Sequence, residues 1–168
     1  MLKMPDKIRS ERIVLERPIQ PTFKLAEEIF EKVDLSRKTL REWLSWVDGT
    51  KRPEDRYSWL VNGAQKNWET GEGYAYLIRD KKTHALLGVI DLVDCSEKHK
   101  SAEIGYWLSD DAVGRGYMTE AVQALETTAF KKGLNRIVIR TDTKNVRSDN
   151  VPKRCVYNLE GTLHSCKW

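Results

Sequence analysis

Ala102-Glu-Ile-Gly-Tyr-Trp-Leu-Ser-Asp-Asp-Ala-Val-Gly-Arg-Gly-Tyr-Met-Thr-Glu-Ala121 is the stretch on which the fold of this 168-residue chain turns. From Ala102 to Leu108 it predicts a strand; a short polar link follows, and Gly114-Arg115-Gly116 opens a helix. Met118, Ala121, Val122, Leu125 and Ala129 recur at steps of three and four, the period of an amphipathic helix that here runs to Lys132. Gly133 follows where a C-cap glycine is expected.

A glycine pair at a helix entrance lets the backbone turn tightly and approach a ligand, and the first N–H groups of the helix have no internal partner. Those donors, with the positive end of the helix dipole, suit a phosphate or pyrophosphate. A plain loop-to-helix turn uses the same residues. The fuller Gly-x-Gly-x-x-Gly and Walker patterns are absent, so spacing alone leaves both readings open.

Composition bounds the answer. The length fits one domain over 1–168 with a sizeable core. Charged residues make up 32% and hydrophobic ones 40%, an ordinary balance for a soluble protein. No apolar run approaches the roughly 20 residues of a membrane span, and charges lie where a signal peptide needs an apolar core, so a cytoplasmic protein is expected. Cys95, Cys155 and Cys166 are odd in number and lack metal-ligand spacing, which predicts reduced thiols. His84, His99 and His164 are scattered, so no metal site is expected. A net charge of +4 suits an anionic cosubstrate without forming the basic stripe of a nucleic-acid protein.

Along the chain, alternation around Ile13 and Leu15 predicts a first strand over Ile8–Glu16, closed by Pro18 and Pro21. Phe23, Ala26, Ile29, Phe30 and Val33 have helical spacing behind a Thr22 N-cap. A second helix is expected over Ser36–Trp46 and a third from Pro53 to Gly71. Tyr74–Arg79 and Leu87–Val93 read as antiparallel strands. After the central helix come a strand over Arg136–Thr141, a short helix from a Ser148 cap to Cys155, and a last strand over Tyr157–His164. Pro152 is tolerable in that helix only in or near its first turn. The order predicts a mixed α/β (α+β) fold.

Ala102–Leu108, Gly114–Ala121 and the later Asn145-x-x-Ser148 together resemble the acyl-CoA signature of the GNAT superfamily of N-acetyltransferases, in its RimJ/RimL-type branch acting on ribosomal-protein N-termini. The resemblance runs from Ser10-Glu-Arg-Ile-Val-Leu15 to Leu159-Glu-Gly-Thr-Leu163. The superfamily signature reads Gln/Arg-x-x-Gly-x-Gly/Ala. Val113 takes its first place and Met118 its last; Gly116 fits. Since the loop works mostly through backbone N–H, Val113 leaves the cradle intact, and Met118 is expected to narrow the space beside the pantetheine.

The resemblance implies a twisted, mostly antiparallel sheet flanked by helices, splayed where acetyl-CoA enters. It implies a further strand after His164; with the chain ending at Trp168, the expected sheet lacks that strand, and three readings stay open: a second subunit of a homodimer covers the edge, the sequence is cut short, or the domain is crippled. Tyr106, Trp107 and Leu108 would pair with the pantetheine amides through their backbone. Gly114, Arg115, Gly116, Tyr117 and Met118 would hold the pyrophosphate, and Asn145 the pantetheine arm. Ser148 stands where that branch has a proton donor to the leaving thiolate, although helix capping explains it equally. Lys167 occupies the place of the branch's glutamate base. Glu103 is therefore the next candidate for the base, against a simple solvated strand residue, while Glu160 reads as structural. Trp43 and Trp46 read as core or as a wall of the acceptor site, and Arg115, Lys144 and Arg147 as surface charges.

Acetyl transfer from a thioester to an amine needs alignment, charge stabilisation and proton transfer rather than covalent help. An α-amine with a pKa of about 7.7–8.0 is already partly neutral at pH 7, whereas a lysine costs about 3 kcal/mol more to deprotonate. The expected activity is thus acetyl-CoA-dependent transfer to a protein N-terminal α-amine, such as that of a ribosomal protein. Transfer to a polyamine, antibiotic or aminoacyl nucleotide, and a non-catalytic coenzyme-A-binding domain, are the competing readings; nucleotide or nucleic-acid binding has little support in charge or motif.

Overall fold

A computed structural model describes residues 2–164. The N-terminal segment that alternation marks as one strand is a hairpin, β1 (Lys7–Arg9) against β2 (Ile13–Glu16). The Ser10-Glu11-Arg12 link, exposed at Glu11 and Arg12, makes the turn, and the Ser10 N–H returns to the Ile13 carbonyl at 3.0 Å. Helix α1 (Phe23–Leu35) forms as its spacing dictates: the Thr22 hydroxyl accepts the Leu25 N–H at 3.2 Å, and Ala26, Ile29 and Val33 are buried.

The helix expected over 36–46 is instead two single turns, α2 (Arg37–Leu40) and α3 (Trp46–Gly49). Arg37 explains the break, because its guanidinium donates to the Val47 and Thr50 carbonyls at 2.9 and 2.7 Å and folds the segment back on itself. The next helix runs from α4 (Pro53–Trp59) through a π-helical turn at Leu60–Gln65 into α5 (Lys66–Thr70), and Gly71 ends it at φ +78°.

Strands β3 (Tyr74–Asp80), β4 (Leu86–Ser96) and β5 (Ser101–Leu108) form an antiparallel meander. Helix α6 (Tyr117–Lys131) then crosses to β6 (Arg136–Val138), which lies parallel to β5, and α7 (Val146–Arg154) follows. The sheet order is β1-β2-β3-β4-β5-β6. One face packs on α1 and α4 through Ala26, Ile29, Val33, Leu60, Leu77, Val89 and Trp107. The other packs on α6 through Ile90, Leu92, Ile104, Met118, Ala121, Val122 and Leu125. At roughly 1.5–3 kcal/mol for each large side chain fully buried, these two layers fix the sheet between them.

Four expectations fail at the C-terminal end. β6 is three residues long rather than six. Residues 157–164 form no strand; Leu159 and Leu163 are 86% and 68% exposed, and the segment is tied back by Tyr157, whose N–H donates to the Pro152 carbonyl at 2.9 Å, and by Glu160 through an ion pair with Arg136. Ser148 does not cap α7, since Asn145 does, its Oδ1 accepting the Ser148 N–H at 3.1 Å. Pro152 stands past the first turn. Lys167 and Cys166 lie outside the described residues.

Candidate active site

Gly114 and Gly116 both adopt left-handed backbone, at φ +77° and +79°, a conformation that side chains disfavour. Among the described residues, no protein acceptor bonds the N–H groups of Gly114, Arg115, Gly116, Tyr117 or Met118. The loop is held from both sides while those donors stay open. Ser36 Oγ accepts the Asp110 N–H at 2.8 Å, and Lys32 pairs with Asp111 at 2.6 Å. Opposite, Arg12 donates to the Arg115 carbonyl at 2.8 Å, binds Glu120 through its own N–H and Nε at 2.8 Å, and lies over the Tyr117 ring. The Met118 side chain is buried in the core beneath α6.

Beside the loop the sheet opens. β5 and β6 pair only at Ser101–Arg136, Ala102–Ile137 and Glu103–Val138. The Ser109 N–H donates to the Leu87 carbonyl at 2.8 Å, which sets the alternation of the β4–β5 ladder. Trp107 and Gly105 therefore turn their backbone groups to β4, while Ile104, Tyr106 and Leu108 turn theirs to the gap. Of the three expected backbone contacts, Tyr106 and Leu108 face the opening and Trp107 does not.

On the α6–α7 face of the gap, Ser148 Oγ lies 3.3 Å from the Tyr106 hydroxyl, which in turn donates to the Ser148 carbonyl at 3.0 Å. Pro152 accounts for the second bond. In a continuous helix the residue 152 N–H would donate to that carbonyl; proline has none, and Tyr106 fills the vacancy. Burial pushes the Tyr106 hydroxyl up to about 12, so it stays protonated and can support Ser148.

The opposite face carries carboxylates and indoles. Glu103 is engaged by Arg140, whose Nε donates to its Oε2 at 2.6 Å. Asp91 behaves differently. Its Oδ1 would lie 2.7 Å from a Cβ on Gly105, so it sits over the strand edge that borders the gap. No other described residue bonds its side chain, and it lines a small recess with Trp59, Ala64, Asn67 and Gly73. Burial, reinforced by the charge of Glu103, pushes its carboxyl from 3.8 up to about 7. Trp46 stacks obliquely on Trp107 at 6.0 Å and so reaches this face; Trp43 is half-buried without an aromatic contact. Among the described residues no three His, Cys, Asp or Glu side chains converge as a metal site, and no helix is long and apolar enough to cross a membrane.

An open-amide loop beside a half-unpaired strand fits a ligand with a diphosphate at one end and amides along its length. The family profile described as the acetyltransferase (GNAT) domain matches residues 12–157. The chain belongs to the GNAT family. It is an acetyl-CoA-dependent N-acetyltransferase with the family's six-strand open sheet. The ribosomal-protein-serine acetyltransferase of Escherichia coli (strain K12) is 28% identical over 156 residues, covering 92% of this chain and 82% of that protein. The structure of RimL, the ribosomal L7/L12 alpha-N-protein acetyltransferase in complex with coenzyme A, superposes with a TM-score of 0.87 at 25% identity, covering 96% of this chain and 89% of that one. The microcin C7 self-immunity acetyltransferase MccE shares the fold, with a TM-score of 0.86 at 23% identity over 95% of this chain and 86% of that one.

The sequence reading names Tyr106, Asn145 and Ser148, which hydrogen bonds join in this GNAT fold, and Trp46, which lies on the opposite face against Trp107. It misses Arg12, Asp91 and the service of Pro152. Asp91 does leave a trace, as the lone charge within the apolar run Leu86–Val93. Arg12 leaves none, because its partners lie more than a hundred residues away.

Proposed function

We propose that this enzyme acetylates the α-amino group of a protein N-terminus, with ribosomal proteins as the acceptor class, in the cytoplasm. The observation that carries the reading is a pair of groups on opposite faces of β5: a free carboxylate, Asp91, over Gly105, and the Ser148 hydroxyl supported by Tyr106. The name of the Escherichia coli relative supports the acceptor class. Bound acetyl-CoA supplies an acyl group activated as a thioester. The amides of residues 114–118 take its diphosphate, and the backbone groups of Tyr106 and Leu108, beyond the last rung to β6, align its amide arm. Asp91 accepts the proton leaving the amine, directly or through one water, and Ser148 gives a proton to the sulfur. A carboxyl near 7 matches an α-amine near 8, and the uphill transfer stays small. Glu103 orients Arg140 and adds the charge that raises Asp91, rather than acting as the base itself.

Purified protein, acetyl-CoA and peptides beginning with Ser, Ala or Thr, followed by release of free thiol, test the proposal. Turnover of these peptides above polyamines and lysine side chains is expected. Ser148→Ala lowers kcat with acetyl-CoA affinity unchanged, and Asp91→Asn lowers kcat/KM at pH 7 by about tenfold to a hundredfold. Equal turnover of polyamines and peptides contradicts the acceptor class. We also propose a homodimer, supported by the outer edge of β6, which is unpaired among the described residues, and by exposed Val156, Leu159 and Leu163.

A further inference from the structure

Arg56, on α4, is a largely buried cation with no bonded anion; the Asp55 carboxylate acts on it only through its field. It is 9% exposed, its guanidinium carbon lies 4.6 Å from the Trp46 ring and 5.5 Å from the Trp59 ring, and its Nε has no hydrogen-bond partner. Among the described residues it forms no ion pair, and the adjacent Asp55 carboxylate is occupied by the Lys51 and Arg52 N–H groups at 2.8 and 3.1 Å. Burial pushes its pKa down to about 10, which still leaves it charged.

A structural arginine in this fold looks different. Arg37 spans two carbonyls and Asp34, and Arg79 makes two bonds to Glu28. Arg37 already ties down the loop through α3 and Thr50, so Arg56 is not needed as its clamp. Two aromatic faces orient a guanidinium without using its donors, and its buried Nε without a partner is costly unless something arrives to meet it, while the terminal nitrogens keep a way out to solvent. The cage also borders the acceptor side of the opening: Trp46 packs on Trp107 of β5, and Trp59 walls the recess that holds Asp91.

We propose that Arg56 determines acceptor specificity by binding a carboxylate of the acceptor while its amine is directed to Asp91. The planar fork suits a carboxylate bidentately, and the indoles exclude water around the pair. The inference rests on the acceptor face assigned under the proposed function and adds the charge of the acceptor: an acidic side chain in the first few residues of an N-terminal peptide, or the carboxylate of a free amino acid.

The test uses peptides with an N-terminal Ser, paired as Asp against Asn at each of the next three positions, together with free glutamate against its diamide, assayed with the wild type, Arg56→Lys and Arg56→Gln. The wild type is expected to favour one acidic peptide by roughly tenfold or more in kcat/KM. Arg56→Gln abolishes that ratio, Arg56→Lys keeps part of it, and both leave acetyl-CoA affinity by calorimetry unchanged. A ratio seen only with glutamate assigns the carboxylate to a small acceptor. Independently of turnover and of any variant, phenylglyoxal should modify Arg56 in the wild type, and the preferred acid, not its amide, should protect it, as read by mass spectrometry. Protection without turnover keeps the carboxylate site and defeats the peptide-acetylation reading. Turnover with no acidic preference and no protection overturns the role of Arg56 and leaves that reading standing.

Discussion

Gly116 sits at φ +79° with its nearest outside neighbour, an Arg12 nitrogen, 3.5 Å from the site of a Cβ. Space is available; backbone conformation is not. Gly116→Ala is expected to lower stability by about 1–2 kcal/mol in urea titration and to weaken acetyl-CoA binding in calorimetry, as the loop amides rotate off their target. Asp91 makes the second prediction at this scale. Its folded carboxyl, near 7, lies above the unfolded value of 3.8, so between those values the folded state holds a proton that the unfolded state has lost. That contribution is fully present below about pH 4, declines as pH rises, and levels off above about 7, with a total of at most about 4 kcal/mol. Urea midpoints of the wild type should therefore fall between pH 4 and 7 more steeply than those of Asp91→Asn; parallel profiles defeat the assignment. Single residues were legible where local geometry decides them, as with the two glycines and Thr22. Asp91 was not, because its meaning depends on Gly105 across the ladder, a pairing invisible without register.

Among elements, α7 carries the clearest conflict between stability and use. Pro152 denies the Ser148 carbonyl its helical donor and leaves it to Tyr106. Pro152→Ala restores the donor, so the unfolding midpoint should rise, by about 1 kcal/mol or more, while kcat falls severalfold because Tyr106 loses its anchor. A gain in stability with kcat untouched removes Pro152 from the site. The helix period of α1 and α6 was plain in the sequence because each buries one stripe against one face of the sheet. The break between α2 and α3 was hidden, because the carbonyls that Arg37 seeks lie ten and thirteen residues downstream. The β1–β2 turn was hidden likewise, since a strand pattern interrupted by three polar residues still alternates.

At the scale of the whole molecule, strand order followed from short connections and one crossover through α6, so the architecture was readable even where single boundaries were not. The irregular course of residues 157–164 was not readable, because Leu159 and Leu163 have the spacing of a strand without a surface to bury them. If a second copy covers them, the pair Leu159→Lys and Leu163→Lys should sediment as a monomer, with unchanged circular dichroism, where the wild type sediments as a dimer. A wild-type monomer under assay conditions ends that proposal. The three-rung contact between β5 and β6 has a wider consequence. A sheet that unzips partway depends on a visitor for its missing rungs, so occupancy and folding become linked quantities. Resistance to heat, or to a protease, then acts as a gauge of how much acetyl donor the surroundings hold, and a starved enzyme becomes a more perishable one.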